Sequence, residues 1–278
     1  MGISFYNVIQ FILIGVSGGI MGGFFGVGAA LIMVPLLVFW VLPSMQVSPD
    51  IIVHLAFGTS LAIVIPTSLS SSHQHSKSGN VDWRIVMYLV ATGLLASYLG
   101  SMLATRLSGA LLKGLFAILL IMVAVQMFVH KKAEGQDRPQ PPGVLPSLVV
   151  GFLVGFFSGF FGVGGGIIAI PLMVRFLGIS IHRSVGISIS FVFFVSMVGT
   201  AGYIVHGWGK EGLPSYSLGY VHVWGWILAG IPSIFFAKWG AVLARKTKPL
   251  RLQQTFAVLV TVVDLRMFWD SFRHFLSW

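Results

Sequence analysis

The feature that most constrains this chain is an apolar segment too long for one membrane helix, broken by glycines near its middle, and present twice. GGIMGGFFGVGAALIMVPLLV begins at Gly18, and VGFFSGFFGVGGGIIAIPLMV begins at Val154. At an offset of 136, Gly15, Gly19, Gly23, Phe24, Phe25, Gly26, Val27, Gly28, Pro35 and Leu36 fall on Gly151, Gly155, Gly159, Phe160, Phe161, Gly162, Val163, Gly164, Pro171 and Leu172. Chance is a poor account of ten identities in order within 22 positions. The offset then becomes 128, which sets HLAFGTSL at 54–61 on HRSVGISI at 182–189. Later it becomes 140, which sets Gly100 on Gly240 and Phe116 on Phe256. These shifts read as loop-length changes, with the first copy longer near 42–50 and the second near 208–219.

The rest of the sequence is that of a membrane bundle. Of 278 residues, 56% are hydrophobic and 9% charged, with a mean hydropathy of +0.93. A soluble domain carries about 25% charged residues. Crossing the hydrocarbon takes about 20 apolar residues. Eight apolar segments stand out, at about 6–41, 52–71, 84–105, 110–130, 144–174, 184–205, 221–244 and 252–270. RLSG joins the third and fourth into a tight helical hairpin. The polar, proline-rich linker KKAEGQDRPQPPG at 131–143 divides the chain near its midpoint. The expected organisation is a first transmembrane repeat over 1–130, the linker, and a second repeat over 144–278. The first 25 residues have no basic leader and merge into the glycine-rich run, so they read as a retained span.

The chain has no cysteine, which excludes disulfides, thiolate catalysis and Cys-ligated metals. Its net charge of +10 comes from Lys and Arg in short loops between apolar runs. That placement fits membrane orientation better than nucleic-acid binding.

FFGVGGG puts glycine at 162, 164, 165 and 166. Each glycine costs about 0.8–1 kcal/mol in a helix relative to alanine, so four in an apolar run imply an interrupted helix. Unwound backbone cannot face lipid, because unsatisfied polar groups there cost several kcal/mol each. It must face protein, water or a ligand. A broken helix also frees N–H groups at the start of its second half, and glycine lets an anion approach them. Transporters hold substrate near the bilayer midplane in this way. The alternative is that the glycines are packing notches, and Gly151, Gly155 and Gly159 have the spacing for it. A nucleotide loop is not supported, since no Lys-Ser/Thr pair follows. Pro35 and Pro171 come late in the second half-helices and are expected to kink or end them.

GTS at 58–60 and GIS at 186–188 add hydroxyls inside apolar helices, five to seven residues from the expected helix starts. Thr59, Ser60 and Ser188 can donate to an anion or bond back to their own helix. His54 and His182 recur at segment edges and read as interface residues or ligands. His73 and His75 read as loop residues, and so do most of the seven acidic residues. Asp264 lies in the last apolar segment with Arg266 close by, where a local salt bridge and a functional carboxylate are both open readings. No paired carboxylates, Ser/His/Asp set or HExxH is present, so an enzyme reading has no anchor.

Loop charges test the orientation. If each broken segment crosses once, 8 of the 17 Lys and Arg fall on one side, which is no bias. If segments 6–41 and 144–174 enter and return as V-shaped hairpins, 12 fall on one side and 5 on the other. The second arrangement leaves each half with an odd number of crossings. The expected fold is therefore an all-α polytopic membrane protein of two inverted repeats, each a glycine-broken hairpin followed by three transmembrane helices.

These segments resemble the sulfite exporter TauE/SafE family over nearly the whole chain. The most specific pieces are GGFFGVGAALIMVPLL at 22–37, HLAFGTSLA at 54–62, SGNVDW at 78–83, GFLVGFFSGFFGVGGGIIAIPLM at 151–173 and SVGISIS at 184–190. The resemblance implies a multi-pass transporter of the cytoplasmic (cell inner) membrane for small sulfur-containing anions such as sulfite, sulfoacetate and related organosulfonates. It implies no cofactor and no metal. The implied substrate-binding residues are Gly26, Gly28, Thr59, Ser60, Gly162, Gly164, Gly165, Gly166 and Ser188. The first copy departs from the family's GxGGG pattern at Ala29 and Ala30, and the second has Ile187 opposite Thr59. Expected partners are a small anion, the lipid bilayer and a coupling proton or cation. A channel-like or partner-dependent permease component, or a membrane assembly factor, is the alternative. The inverted arrangement has a direct check: cysteines introduced at Gly135 and Gly212 should label from opposite sides of the membrane, and labelling from one side would refute it.

Overall fold

The computed structural model describes residues 4–25, 30–129 and 142–246. The first glycine break with Gly26 and Gly28, most of the linker, and the last apolar segment with Asp264 and Arg266 lie outside the described residues. In chain order come α1 (Phe5–Phe25) and α2 (Ala30–Leu36), which continues through a π-helical segment, Leu37–Val41, into α3 (Leu42–Ser44). Next are α4 (Pro49–Lys77), α5 (Trp83–Ala104), α6 (Gly109–Val129) and α7 (Val144–Phe161). After the second break, α8 (Gly166–Leu172) continues as a π segment, Met173–Leu177. α9 (Ile181–His206), a two-residue antiparallel ladder of β1 (Ser217–Leu218) and β2 (Val221–His222), and α10 (Val223–Lys246) follow.

Local chemistry sets several boundaries. Pro49 stands in the first turn of α4, where its missing N–H has no helical partner to lose. Asp82 caps α5 by accepting from the N–H groups of Arg84 and Ile85, at 3.1 and 3.4 Å. Pro35 and Pro171 do not end their helices. Each lies two residues before a π segment, so the helix absorbs the lost hydrogen bond by widening and then runs on. α4 is longer than the 52–71 expected because the serine-rich stretch stays helical. His73 and His75 therefore lie in its last turns, not in a loop.

The chain is a polytopic membrane protein. Five described helices are long and apolar enough to cross a bilayer: the spans at Phe5–Gly22, Pro49–Lys77, Trp83–Ala104, Val144–Phe161 and Arg183–His206. The span in α4 is 78% buried, against 39–61% for the others, so it is the central helix. It packs on α9 and α10, while α5 lies along α7 and α1 along α10.

Glycine makes the last two contacts possible. A Cβ on Gly151 or Gly155 would lie 2.7 Å from the Cα of Leu89 or Gly93 in α5, and Gly159 abuts Ser97. A Cβ on Gly15 or Gly19 would lie 2.7 or 2.8 Å from the Cα of Ala229 or Ser233 in α10. These contacts are reciprocal: Gly15 and Gly19 match Gly151 and Gly155 at 136, and Leu89 and Gly93 match Ala229 and Ser233 at 140. Gly58 likewise meets the Tyr220 carbonyl as Gly186 meets that of Asn80. The packing reading of Gly151, Gly155 and Gly159 thus describes what they do.

Contacts at the helix ends sort the loops. Asn7 Nδ2 donates to Ser44 Oγ at 2.9 Å, so the start of α1 and the end of α3 lie together. Nearby in the chain, Gly109 lies against the Asp50 carbonyl, and His54 faces the carbonyls of Asp50 and Leu107, each at 3.0 Å. Arg183 pairs with Asp82 at 3.1 Å, which joins the start of α9 to the turn between α4 and α5. Gly155→Leu should drive its side chain into the α5 backbone and lose at least about 1–3 kcal/mol of stability. Gly230→Ala, whose Cβ would sit 3.6 Å from Pro66, should be neutral or slightly stabilising. Thermal unfolding of the two variants in detergent checks both.

Candidate functional site

The second glycine break is the most unusual backbone among the described residues. α7 stops at Gly162, whose φ of +68° places it in the left-handed region. Its N–H still bonds the Ser158 carbonyl, at 3.0 Å. Gly164 and Gly165 follow with φ of +75° and +77°. L side chains adopt this region at a cost of roughly 1–2 kcal/mol per residue, so glycine is what permits the turn. α8 then begins at Gly166, with the Gly165 carbonyl accepting from Ile168 and Ala169 N–H groups at 3.1 and 2.9 Å. Residues 162–166 are all buried.

The break sits at the centre of the bundle. A Cβ on Gly164 would lie 3.1 Å from Cγ1 of both Val64 in α4 and Val192 in α9. Those valines match at an offset of 128, and each lies within two residues of the midpoint of its helix. The unwound backbone is thus inserted between the midpoints of α4 and α9.

The sequence-expected hydroxyls fall into two groups. Thr59 and Ser60 lie ten and eleven residues into α4, deeper than expected because the helix starts at Pro49. Both are fully buried and have partners. The Ser60 hydroxyl reaches the carbonyl of Phe57 in its own helix, at 2.9 Å, and that of Gly162 in the break. Thr59 Oγ1 accepts from the His222 N–H at 2.9 Å, tying the segment before α10 to α4. Ser188 is 1% exposed and has no partner. His54 faces the Asp50 carbonyl in the first turn of its own helix and the Leu107 carbonyl in the turn between α5 and α6.

Four further buried hydroxyls without partners were not among the expected residues: Ser158 in α7, Ser196 and Thr200 in α9, and Ser217 in β1. Ser196 Oγ would be 3.6 Å from a Cβ on Gly164, and Ser158 Cβ 3.1 Å from one on Gly165. The repeat carried a signal for two of them. Ser60, Val64, Ser68 and Ser72 in α4 match Ser188, Val192, Ser196 and Thr200 in α9 at 128. The α4 hydroxyls are satisfied, Ser68 by the Val64 carbonyl at 2.7 Å and Ser72 by Ser190 Oγ at 2.7 Å. Those of α9 are not. Ser158 had no such signal, since Gly22 is its counterpart. Among the described residues no group of three or more His, Cys, Asp or Glu could hold a metal ion.

Comparison with known proteins gives one answer. The family model described as "Sulfite exporter TauE/SafE" matches residues 11–267. A "Probable membrane transporter protein" of Haemophilus influenzae is 31% identical over 265 residues, covering 95% of this chain and 99% of that protein. One from Methanocaldococcus jannaschii is 31% identical over 261 residues, covering 92% and 93%. One from Bacillus subtilis is 24% identical over 285 residues, covering 95% and 98%. No solved structure matches the chain.

The break itself can be tested for strain. Gly162→Ala would hold a side chain at positive φ with its Cβ 2.5 Å from Phe57 Cα, and should cost at least about 1–2 kcal/mol. Ser60→Ala removes the one hydroxyl proton shared between the Phe57 and Gly162 carbonyls and should cost about 1 kcal/mol. Thermal unfolding should rank the first as the more damaging.

Proposed function

Because the chain belongs to the sulfite exporter TauE/SafE family, we infer that it is a secondary transporter moving a small sulfur-containing oxyanion or organosulfonate across the inner membrane by alternating access. The observation that carries this reading is the Gly162–Gly165 break, which lies buried between Val64 and Val192 with unpartnered hydroxyls beside it. Backbone released from helical bonding there is a binding element for an anion. Gly162, Gly164, Gly165, Gly166 and Ser188 form the contact set of the second half. Gly26, Gly28, Thr59 and Ser60 are assigned to the first half, where Thr59 and Ser60 also brace the site through His222 and Gly162.

The architecture proposed for this transport is two inverted repeats, 1–130 and 144–278, each opening with a V-shaped broken hairpin. The reciprocal glycine contacts support it, because matched residues exchange matched partners. The Asp82–Arg183 pair supports it as well. It sets Arg183 on the side of Lys77 and Arg84, as the twelve-to-five charge count requires and eight simple crossings would forbid. Inversion lets the two halves trade conformations around one central site, which is how alternating access arises from a fixed sequence. A proton or cation gradient, or the substrate's own gradient, supplies the driving force. Export of an anion runs with an inside-negative potential.

Flux of labelled sulfite, methanesulfonate, sulfate and thiosulfate into proteoliposomes tests the function, and at least one should show saturable uptake. Gly164→Leu fills the space between Val64 and Val192 and should abolish it. Transport surviving in that variant with unchanged affinity would remove the break from the site.

A further inference from the structure

The unpartnered hydroxyls are the part of the molecule least accounted for. Buried polar side chains nearly always have partners, and each exception points to a missing one. A serine inside a helix can donate to the carbonyl three or four residues earlier. Ser68 does so in α4, to the carbonyls of Val64 and Ile65 at 2.7 and 3.0 Å. Ser196 is its counterpart in α9, equally buried in an equivalent helix, yet it makes no such bond. Its hydroxyl lies beside Gly164 instead. Ser158 stands on the other helix flanking the break, beside Gly165, and is likewise fully buried without a partner. A Cβ on Gly199 would lie 3.6 Å from Gly159 Cα, so α7 and α9 approach closely at the level of these two serines.

We propose that Ser158 and Ser196 are the side-chain donors that hold the transported anion, one from α7 and one from α9, on either side of the glycine turn. This assignment rests on the transport reading above and specifies its site. Ser188 lies eight residues from Ser196, about 12 Å along the helix, too far to share a small ligand with it. Within the second-half contact set, Ser188 therefore meets the anion at another point of its path along α9, apart from the Ser158–Ser196 pair. Hydroxyls from two helices, with backbone between them, suit a ligand that accepts hydrogen bonds on several faces. A pyramidal or tetrahedral sulfur oxyanion offers acceptor oxygens out of a single plane, whereas the two oxygens of a carboxylate and their lone pairs share one. The sequence around GTS and GIS pointed to α4 as much as to α9. The hydrogen bonds divide them: Ser60, Ser68 and Ser72 in α4 are committed to protein, and their α9 counterparts Ser188, Ser196 and Thr200 are free for substrate.

The test compares Ser158→Ala, Ser196→Ala and Ser68→Ala in proteoliposomes and by thermal shift in detergent, with sulfite and methanesulfonate as ligands and acetate as the planar control. A hydrogen bond to a charged ligand is worth about tenfold or more in affinity. The first two variants should each raise KM by about tenfold or more and lose the sulfite-induced rise in Tm. Without ligand their Tm should equal or exceed that of the unmutated protein, because an unpaired hydroxyl has been removed, so the loss is not unfolding. Ser68→Ala should keep KM within about twofold, and acetate should compete poorly with sulfite. Unchanged KM and an intact thermal shift in both Ser158→Ala and Ser196→Ala, with transport retained, would overturn this assignment and leave the transport reading standing. No sulfite or sulfonate flux by the unmutated protein would overturn both.

Discussion

Everything in this structure depends on one requirement: a peptide group inside the hydrocarbon must have a hydrogen-bond partner. Helices meet it alone, and the turn at Gly162–Gly165 does not. It can persist only if protein encloses it, and α4 and α9 provide the enclosure at their midpoints. Those helices are held there by neighbours that approach at backbone distance. The glycine rows of α1 and α7 are thus the condition for the break. Leucine-sized notches would move α5 and α10 outward and open the centre to lipid or water.

Much of this was legible in the sequence because glycine is informative where hydropathy is not. The break at 162–166 was legible because four glycines in an apolar run imply an interrupted helix, but not that 162, 164 and 165 take the left-handed backbone while Gly166 opens α8. The packing glycines were legible from their four-residue spacing. The extent of α4 was not, because serine is a weak helix former and the polar run to Lys77 reads as a loop. The π segments after Pro35 and Pro171 were also hidden, since proline announces a defect but not how the helix absorbs it. At the site, residue type could not separate Ser60 from Ser196. Both are buried helical serines on related faces, and they differ only in what lies within reach of the hydroxyl.

The two halves differ at the glycine break and in their hydroxyls. The first half has Ala29 and Ala30 where the second has Gly165 and Gly166, and its hydroxyls are bonded to protein. The first half also closes the start of α1 onto Ser44 through Asn7 and Gln10, a polar clasp with Gly143 and Pro146 at the matching positions of the second. Ser158, Ser188, Ser196 and Thr200 of the second half have no such bonds.

The reciprocal packing also bears on how the chain is made. α1 leaves the ribosome long before the helix that fills its glycine face, α10, which is more than 200 residues behind it. Until α10 arrives, Gly15 and Gly19 face lipid or a temporary neighbour. α5 waits in the same way for α7, over a shorter interval. The main packing partner of each half's first helix thus lies in the other half. Assembly is completed only when the second half is in the membrane, and damage late in the chain is felt at its beginning.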